Sequence, residues 1–243
     1  MVGTGQYGWT LDKYYKQTQD ITLDPVPVGQ SNWTPIGIIY DSFSGGFDGN
    51  GYKIYNLTVS LSSSEYFHGF FGRLENGGIL ENIELVNVNI DGGTCVGGIV
   101  GYNNGIIKNC HVSGDIYGYE NVGGIAGGNS GQIKNCYTAC DIQGYRYVGG
   151  VNGQSSGILE NCYASGTHYG YAGYFGGISG NCYGIMRNCV ALNSHIQTGR
   201  GDGGNTFGRL TGQVNATMSN NYARTDLAIW IDFIGSLLIR VCL

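Results

Sequence analysis

Two aspartates of this chain could take part in acid–base chemistry. Asp115 and Asp141 lie one repeat period apart in similar contexts, "GDIYGY" and "CDIQGY". On adjacent stacked strands their carboxylates would be about 5 Å apart, a separation that suits retaining glycoside hydrolysis. Because this spacing arises wherever a repeat contains an aspartate, no catalytic residue is assigned. The pair stays as the catalytic alternative for a polysaccharide lyase or glycoside hydrolase.

Three tyrosines recur at the same interval and could bind a ligand. Tyr119, Tyr145 and Tyr171 are evenly spaced, again by one repeat period. They are surrounded by four more: Tyr117, Tyr147, Tyr169 and Tyr174. Their position beside Gly-rich turns predicts exposed side chains, whose flat faces and rim hydroxyls suit sugar rings or another protein. The alternative interpretation is a stacked ladder of rings that only rigidifies the turns.

The eight cysteines form a third candidate set. Four recur in one column, Cys110, Cys136, Cys162 and Cys189; the others are Cys95, Cys140, Cys182 and Cys242. Stacked strands would bring column neighbours within disulfide range, but parallel Cβ vectors disfavour the bond. A ladder of buried small hydrophobic side chains is therefore favoured over disulfides. With no CxxC motif and no metal-spaced histidine pair, we expect no metal site and no cofactor. His195, which aligns with the two aspartates, is expected as an isolated surface residue.

The elements that position these residues follow from an internal repeat. Asparagines recur with a nearly constant period in the range typical of solenoid repeats: Asn56, Asn82, Asn109, Asn135, Asn161 and Asn188. A glycine motif moves in step: "VGGIVG" from Val96, "VGGIAG" from Val122, "VGGVNG" from Val148 and "FGGISG" from Phe175. A phosphate-binding glycine loop would occur once, whereas a scaffold unit recurs.

Each repeat contains short runs of β-forming residues between Gly, Asn and Ser, and no window shows a sustained helical period. In one unit the predicted strands are Val122–Ala126, Gln132–Lys134 and Tyr137–Ile142. One unit cannot bury its own apolar face, but stacked units can. The sequence therefore predicts an all-β, single-stranded parallel β-helix (a solenoid) with one coil for each repeat of the asparagine and glycine motifs.

Stacking also predicts which residues share a column. Two interior apolar columns are expected, Ile99, Ile125, Val151, Ile178 and Ile107, Ile133, Leu159, Met186. The asparagines are expected at a corner, because Asn tolerates left-handed backbone and its amides can bond along the stack. The residues just before them, Lys108, Lys134, Glu160 and Arg187, are expected to face solvent.

The composition of the chain argues against some classes of protein. The chain has 243 residues with 45 Gly and 19 Tyr, 12% charged residues and a net charge of −5. Abundant aromatics argue against disorder, and the absence of a basic cluster argues against a nucleic-acid partner. The first residues show no basic segment followed by an apolar one, so we expect no signal peptide in this chain. A mature fragment or a cytosolic protein would both begin in this way.

The segments "GIVG", "GIAG", "GVNG" and "GISG", each followed by a GxIxNC-like stretch, resemble the GLUG-motif repeat of bacterial surface proteins. The segments "YYKQTQDITL", "WTPIG" and "FSGGFDGNGYKIYNLTV" resemble the region that precedes such repeats in large secreted proteins. These include adhesin-like proteins and the non-catalytic part of IgA1-protease-type metallopeptidases. The resemblance implies a right-handed β-helix on an extracellular protein. No HExxH motif is present, so protease activity is not carried over.

The predicted organisation has three parts: an N-terminal cap segment at 1–60, GLUG-type repeats at 61–226 and a hydrophobic cap or tail at 227–243. The tail is too short and too charged for a membrane span, so membrane attachment is expected only through a parent protein. The favoured function is a non-enzymatic adhesin or stalk module, extracellular or at the cell surface, that contacts a glycan or a host protein through its Tyr-rich side. The alternatives are the enzyme above and a self-assembling surface protein that associates through 227–243.

Overall fold

The computed structural model describes residues 10–38, 40–61, 64–198, 206–225 and 228–231. Every regular element in these ranges is a β-strand, and all the named strands pair in parallel. The prediction of an all-β parallel β-helix is therefore confirmed. The described ranges contain no helix long and apolar enough to cross a membrane.

One coil contains three strands separated by corners. In the repeat that starts near residue 106, the chain runs through β12 (Ile106–Lys108), β13 (His111–Gly123) and β14 (Ala126–Asn129). β15 (Gln132–Lys134) then begins the next coil directly beside β12. The predicted strand at Gln132–Lys134 is confirmed. The predicted strand at Val122–Ala126 is wrong, because the chain turns a corner at Gly124 and Ile125.

Stacking of the coils produces three sheets. Among the described residues, an eight-stranded sheet contains β12 and β15 with β1 (Tyr14–Lys16), β3 (Gly46–Asp48), β8 (Ile79–Glu81), β18 (Ile158–Glu160), β23 (Ile185–Arg187) and β28 (Thr217–Ser219). A six-stranded sheet contains β14 with β7 (Phe71–Leu74), β11 (Val100–Asn103), β17 (Asn152–Ser155), β22 (Ser179–Cys182) and β27 (Thr211–Val214).

The third sheet, of sixteen strands within the described ranges, forms the broadest face. It contains β13 and β2 (Ile21–Thr22), β4 (Lys53–Tyr55), β5 (Thr58–Ser60), β6 (Tyr66–His68), β9 (Glu84–Asp91), β10 (Thr94–Gly97), β16 (Tyr137–Gly149), β19 (Tyr163–Ser165), β20 (Thr167–Gly170), β21 (Tyr174–Gly176), β24 (Val190–Ala191), β25 (His195–Thr198), β26 (Thr206–Gly208), β29 (Tyr222–Ala223) and β30 (Ala228–Ile231).

The core runs along the axis between the sheets. Both predicted apolar columns are fully buried, from Ile99 to Ile178 and from Ile107 to Met186. β-Branched and other apolar side chains suit this setting because a parallel sheet packs them against the same position on the next coil. His168 is one of several buried polar side chains, and it lies at a position that isoleucine occupies in the flanking coils.

The asparagine column lies at a corner, as predicted. The six predicted asparagines, and Asn220 after them, have φ between 52° and 61°. Their side chains bond along the stack: Asn135 donates to the Oδ1 of Asn109 at 3.2 Å, and Asn188 donates to the Oδ1 of Asn161 at 3.0 Å. Asn is the residue that tolerates this backbone with least strain while it supplies such a ladder.

The last glycine of each repeat motif is required by close packing. A Cβ on Gly127 would lie 2.5 Å from the carbonyl carbon of Cys95, and one on Gly153 would lie 2.4 Å from the amide nitrogen of Val122. These glycines therefore let the six-stranded sheet approach the backbone of the preceding coil. The motif is part of the scaffold, as its repetition indicates.

The cysteine ladder is also confirmed. All seven cysteines within the described ranges are free thiols and buried. In the column, Cys136 donates from Sγ to the carbonyl oxygen of Lys134 at 3.1 Å, and burial raises its pKa well above the usual value. Cys242 lies outside the described residues. The charged line beside the column, from Lys108 to Arg187, faces solvent as expected and carries ion pairs such as Lys134 with Glu160 at 3.5 Å.

The chain ends differ in how much the structure describes. At the N-terminal end, β1 pairs with β3 and β3 with β8, so the predicted cap segment continues the eight-stranded sheet. Its Phe43 and Phe47 pack against Phe70 and Phe71 with ring centroids 4.9–5.7 Å apart. Of the predicted tail at 227–243, the structure describes only β30, which pairs with β25. The rest lies outside the described residues, and with it the predicted self-association surface.

Candidate functional site: a tyrosine-lined groove

The paired strands β13 and β16 form a regular outer surface. These two strands have thirteen residues each and pair in register from His111 with Tyr137 to Gly123 with Gly149. Because side chains alternate along a strand, Val112 and Ile116 point into the core while Asp115 and Tyr117 point outward. Every second residue of each coil therefore adds to one outer surface.

Residues that pair across neighbouring strands form columns on this surface. At one side lies a ladder of rings: His111 stacks on Tyr137 and Tyr137 on Tyr163, with centroids 3.6 Å and 4.8 Å apart. At the other side lies the predicted column of Tyr119, Tyr145 and Tyr171. Between them runs an acidic and polar column: Asn89, Asp115, Asp141, Thr167 and His195.

The three predicted tyrosines stack on one another. The ring centroids of Tyr119 and Tyr145 are 4.9 Å apart with planes 7° apart, and those of Tyr145 and Tyr171 are 5.3 Å apart with planes 22° apart. Both faces of Tyr145 are therefore covered by its neighbours. The predicted row of flat exposed faces is wrong in this respect, because the column presents ring edges and hydroxyls along its length. The ladder geometry that the alternative interpretation predicted is present.

One face at the end of this ladder is open. On the preceding coil Gly93 is level with Tyr119, whose amide donates to the carbonyl oxygen of Gly93 at 2.8 Å. Since glycine has no side chain, no ring from that coil covers the second face of Tyr119. The side chain is correspondingly half exposed, at 50%.

A second column lies directly beside the ladder. Asp91, Tyr117, Gln143 and Tyr169 pair in register across β9, β13, β16 and β20. Together the two columns line a shallow groove of about 320 Å³ that is open to solvent. Its lining is Asp91, Gly92, Tyr117, Gly118, Tyr119, Gln143, Gly144, Tyr145, Tyr169 and Tyr171. A lining of aromatic side chains with a few polar groups is typical of small-ligand sites.

Of the tyrosines that surround the predicted site residues, Tyr117 and Tyr169 line the groove. Tyr147 and Tyr174 are absent from its lining and stack on each other at 5.5 Å. Asp91 and Gln143 were not singled out from the sequence. A signal for them exists, because one repeat step from Tyr117 leads back to Asp91 and one leads forward to Gln143.

The two aspartates of the catalytic alternative do lie side by side. Asp115 and Asp141 pair in register on β13 and β16, and both are exposed. One oxygen of Asp141, Oδ1, accepts hydrogen bonds from the amide of Thr167 at 2.8 Å and from its hydroxyl at 2.7 Å. The pair borders the groove rather than lining it. His195 aligns with this column but follows Thr167 in it, so Thr167 separates it from Asp141.

The groove is acidic. Burial raises the pKa of the Tyr117 hydroxyl, and the nearby carboxylates of Asp115, Asp141 and Asp91 raise it further. No lysine or arginine is among the described residues that line the groove. The nearby Arg146 is engaged elsewhere, over the ring of Tyr147 at 5.1 Å and with Glu120 at 3.6 Å. Within the described part of the chain, no group of three or more His, Cys, Asp or Glu side chains could hold a metal ion.

Comparison with known proteins supports the repeat and the fold. Residues 92–117, which include part of the groove, match the family model of the GLUG motif. The chain is similar to a crystal structure, at 1.30 Å resolution, of a candidate immunoglobulin A1 protease from Bacteroides ovatus. The TM-score is 0.75 at 26% identity, over 94% of this chain and 73% of that one. The resemblance to GLUG-repeat β-helix proteins is thereby confirmed.

Two curated relatives match part of the chain. Halomucin of Haloquadratum walsbyi is 34% identical over 113 residues, which cover 43% of this chain and 1% of that protein. A protein of Evansella cellulosilytica named as a Gly-rich membrane protein is 32% identical over 106 residues, covering 41% of this chain and 12% of that one. The chain thus corresponds to a small fraction of the length of these relatives.

Proposed function

We propose that this chain, a β-helix built on GLUG-type repeats, is a non-enzymatic surface module that binds a glycan through the tyrosine-lined groove. The observation that carries the proposal is the groove itself. Five tyrosines line it: Tyr117, Tyr119, Tyr145, Tyr169 and Tyr171. On this basis the module is an adhesin, or the recognition part of a stalk, within an extracellular or cell-surface protein.

The chemistry of the groove suits a sugar chain. The open face of Tyr119 can stack against the apolar face of a pyranose ring, and the tyrosine hydroxyls and the Gln143 amide can exchange hydrogen bonds with sugar hydroxyls. The stacked coils hold these groups rigidly, so little conformational entropy is lost on binding. A protein partner would contact the same tyrosine ring edges, but an open groove of this small volume favours a chain of sugar rings.

The surface location is supported by the relatives. One carries the name halomucin and another the name of a membrane protein, and the similar crystal structure belongs to a candidate immunoglobulin A1 protease. This chain covers only part of each of these proteins. Their ligands and substrates are therefore not transferred to it.

The test is a binding panel of glycans and polysaccharides with three proteins. The first is the unaltered chain, and the second is Tyr119→Ala/Tyr145→Ala/Tyr171→Ala. The third is a matched control, Tyr40→Ala/Tyr183→Ala/Tyr222→Ala, which removes three exposed tyrosines outside the groove. We expect the groove variant to lose about tenfold or more in affinity for a bound glycan, and the control to retain it. Stacking on Tyr119 contributes about 1 kcal/mol, and each hydroxyl that hydrogen-bonds the sugar contributes about as much.

Two outcomes would contradict the proposal. Equal loss in both variants would remove the groove as the site, and no binding by the unaltered chain would leave a passive spacer. Release of reducing or unsaturated ends from a bound polysaccharide, abolished by Asp115→Asn or Asp141→Asn, would support the enzyme alternative instead.

A further inference from the structure

We propose that the groove prefers glycans that carry free amino groups, as in glucosamine polymers, over neutral and acidic glycans. This inference rests on the proposed glycan-binding function and specifies the charge of the ligand. It follows from the juxtaposition of an open tyrosine face with three carboxylates that have no ion-pair partner among the described residues.

The open face of Tyr119 defines where one ring of the ligand would sit. Gly93 leaves a space of one coil on the side of Tyr119 that faces away from Tyr145. A flat ring placed there would continue the Tyr119, Tyr145, Tyr171 stack by one step of about 5 Å. Tyr117, which is 40% exposed, lies beside this space on the same strand.

Three carboxylates lie on the same face of the sheet as this space, at increasing distances from it. Asp91 lines the groove and pairs in register with Tyr117, while Asp115 is two residues before Tyr117 on the same strand, a separation of about 7 Å along it. Asp141 lies beside Asp115 on the next coil. All three are exposed, and none forms an ion pair within the described residues, where the ion pairs involve other acids.

A cationic ligand complements these charges in two ways. A protonated amine is attracted by each carboxylate, and it is also attracted to the face of a tyrosine ring. In a solvent-exposed groove a carboxylate at about 7 Å, the distance of Asp91 from this space, changes affinity by roughly threefold, and Asp115 and Asp141, at roughly 14 and 17 Å, contribute less. The three together predict a preference of about fivefold at low ionic strength. A uronate or sulfated sugar would be repelled to a similar extent.

The experiment compares three oligosaccharides of equal length by calorimetry at low ionic strength. They are an N-acetylglucosamine hexamer, its fully deacetylated glucosamine counterpart and a galacturonate hexamer. The measurement is made at about pH 5.5, where the free amines of the glucosamine hexamer are protonated. We expect the glucosamine hexamer to bind about fivefold more tightly than the acetylated one, the preference to shrink with added salt, and the galacturonate hexamer to bind most weakly.

Two variants decide whether the groove is responsible. Asp91→Asn/Asp115→Asn/Asp141→Asn should abolish the preference for the amine, while Asp12→Asn/Asp41→Asn/Glu75→Gln removes three acidic charges outside the groove and should keep it. Equal affinity for the two glucosamine-based hexamers, or a preference that survives the groove variant, would overturn the inference. In either case, loss of binding in Tyr119→Ala/Tyr145→Ala/Tyr171→Ala would still support glycan binding by the groove. Only the preference for amino groups would then be rejected. Failure of all three hexamers, together with no binding in the wider panel, would overturn both.

Discussion

Asn161 donates a hydrogen bond from its side-chain amide to the Oδ1 of Asn135, 2.9 Å away on the preceding coil. Both residues have left-handed backbone, with φ of 54° and 52°. One residue type thus meets two requirements at this corner, a backbone that most residues avoid and a bond between coils. The two requirements can be separated by substitution.

Two substitutions of Asn135 can separate the backbone requirement from the hydrogen bonds between coils. Asn135→Ala should lower the free energy of unfolding by about 2–3 kcal/mol, because alanine is strained at positive φ and the ladder bonds to Asn109 and Asn161 are lost. Asn135→Gly loses the same bonds without the strain and should cost about 1 kcal/mol. Urea denaturation measures both values. Equal losses in the two variants would show that backbone strain does not govern this corner.

Substitutions at two glycines can distinguish the effect of steric contact on stability from the effect of backbone conformation. A Cβ on Gly153 would meet the backbone of Val122 at 2.4 Å, whereas one on Gly51, at φ +79°, would meet nothing within 4 Å. Gly153→Ala should therefore destabilise by about 3 kcal/mol through a backbone clash that rotamer changes cannot relieve. Gly51→Ala should cost about 1 kcal/mol through conformation alone. A smaller loss at Gly153 than at Gly51 in thermal unfolding would contradict this packing.

His168 makes stability depend on pH. It donates from Nδ1 to the carbonyl oxygen of Gly176 at 3.2 Å and accepts at Nε2 from the Asn193 amide at 3.0 Å, so it is neutral in the core. Burial lowers its pKa to about 4, against about 6.5 when unfolded. The unfolded chain therefore binds the proton first as the pH falls. Stability should be constant above about pH 6.5 and decrease by about 3 kcal/mol between pH 6.5 and pH 4.

The control for this prediction is His168→Ile, which restores the residue type of Ile142 and Ile196 in the same column. Burial also lowers the pKa of His68 and His111, so a smaller decrease should remain. Urea titrations at several pH values compare the slopes. An unchanged slope in the variant would exclude His168 as the main source.

The buried thiols should be unreactive in the folded protein. All seven cysteines of the described residues are buried, and burial raises the pKa of Cys95 to about 12 and that of Cys182 to about 11. Since the thiolate is the reactive form, a Cys242→Ser variant should show almost no reaction with a thiol reagent at neutral pH and seven thiols in denaturant. Fewer than seven, with a mass lower by two hydrogens for each missing pair, would indicate disulfides.

Much of the fold could be predicted because several repeats each supply a residue at the same position of the coil. A single Asn or Ile carries little information, but Asn109, Asn135 and Asn161 at fixed spacing can only occupy one column of a stack. The same repetition identified the column of Tyr119, Tyr145 and Tyr171. Periodicity thus determines which residues are neighbours along the axis.

Periodicity does not determine which surface of a side chain a neighbour covers. The sequence places the three tyrosines in one column, yet it does not show that Tyr145 is covered on both faces while one face of Tyr119 is open. That difference depends on Gly93, which is level with Tyr119 on the preceding coil and has no side chain to cover its ring. The corner inside the predicted strand Val122–Ala126 was missed because Gly124 and Ile125 suit a strand by composition alone.

The parallel stacking also has a mechanical consequence. Each coil stores about 26 residues, or about 90 Å of extended contour length, in a step of only about 5 Å along the axis. Because a coil bonds only to the coils next to it, tension applied to the chain ends can release coils one at a time while the remainder stays folded. A stalk built in this way would lengthen severalfold under load and keep its intact coils, with their ligand-facing surface, in place.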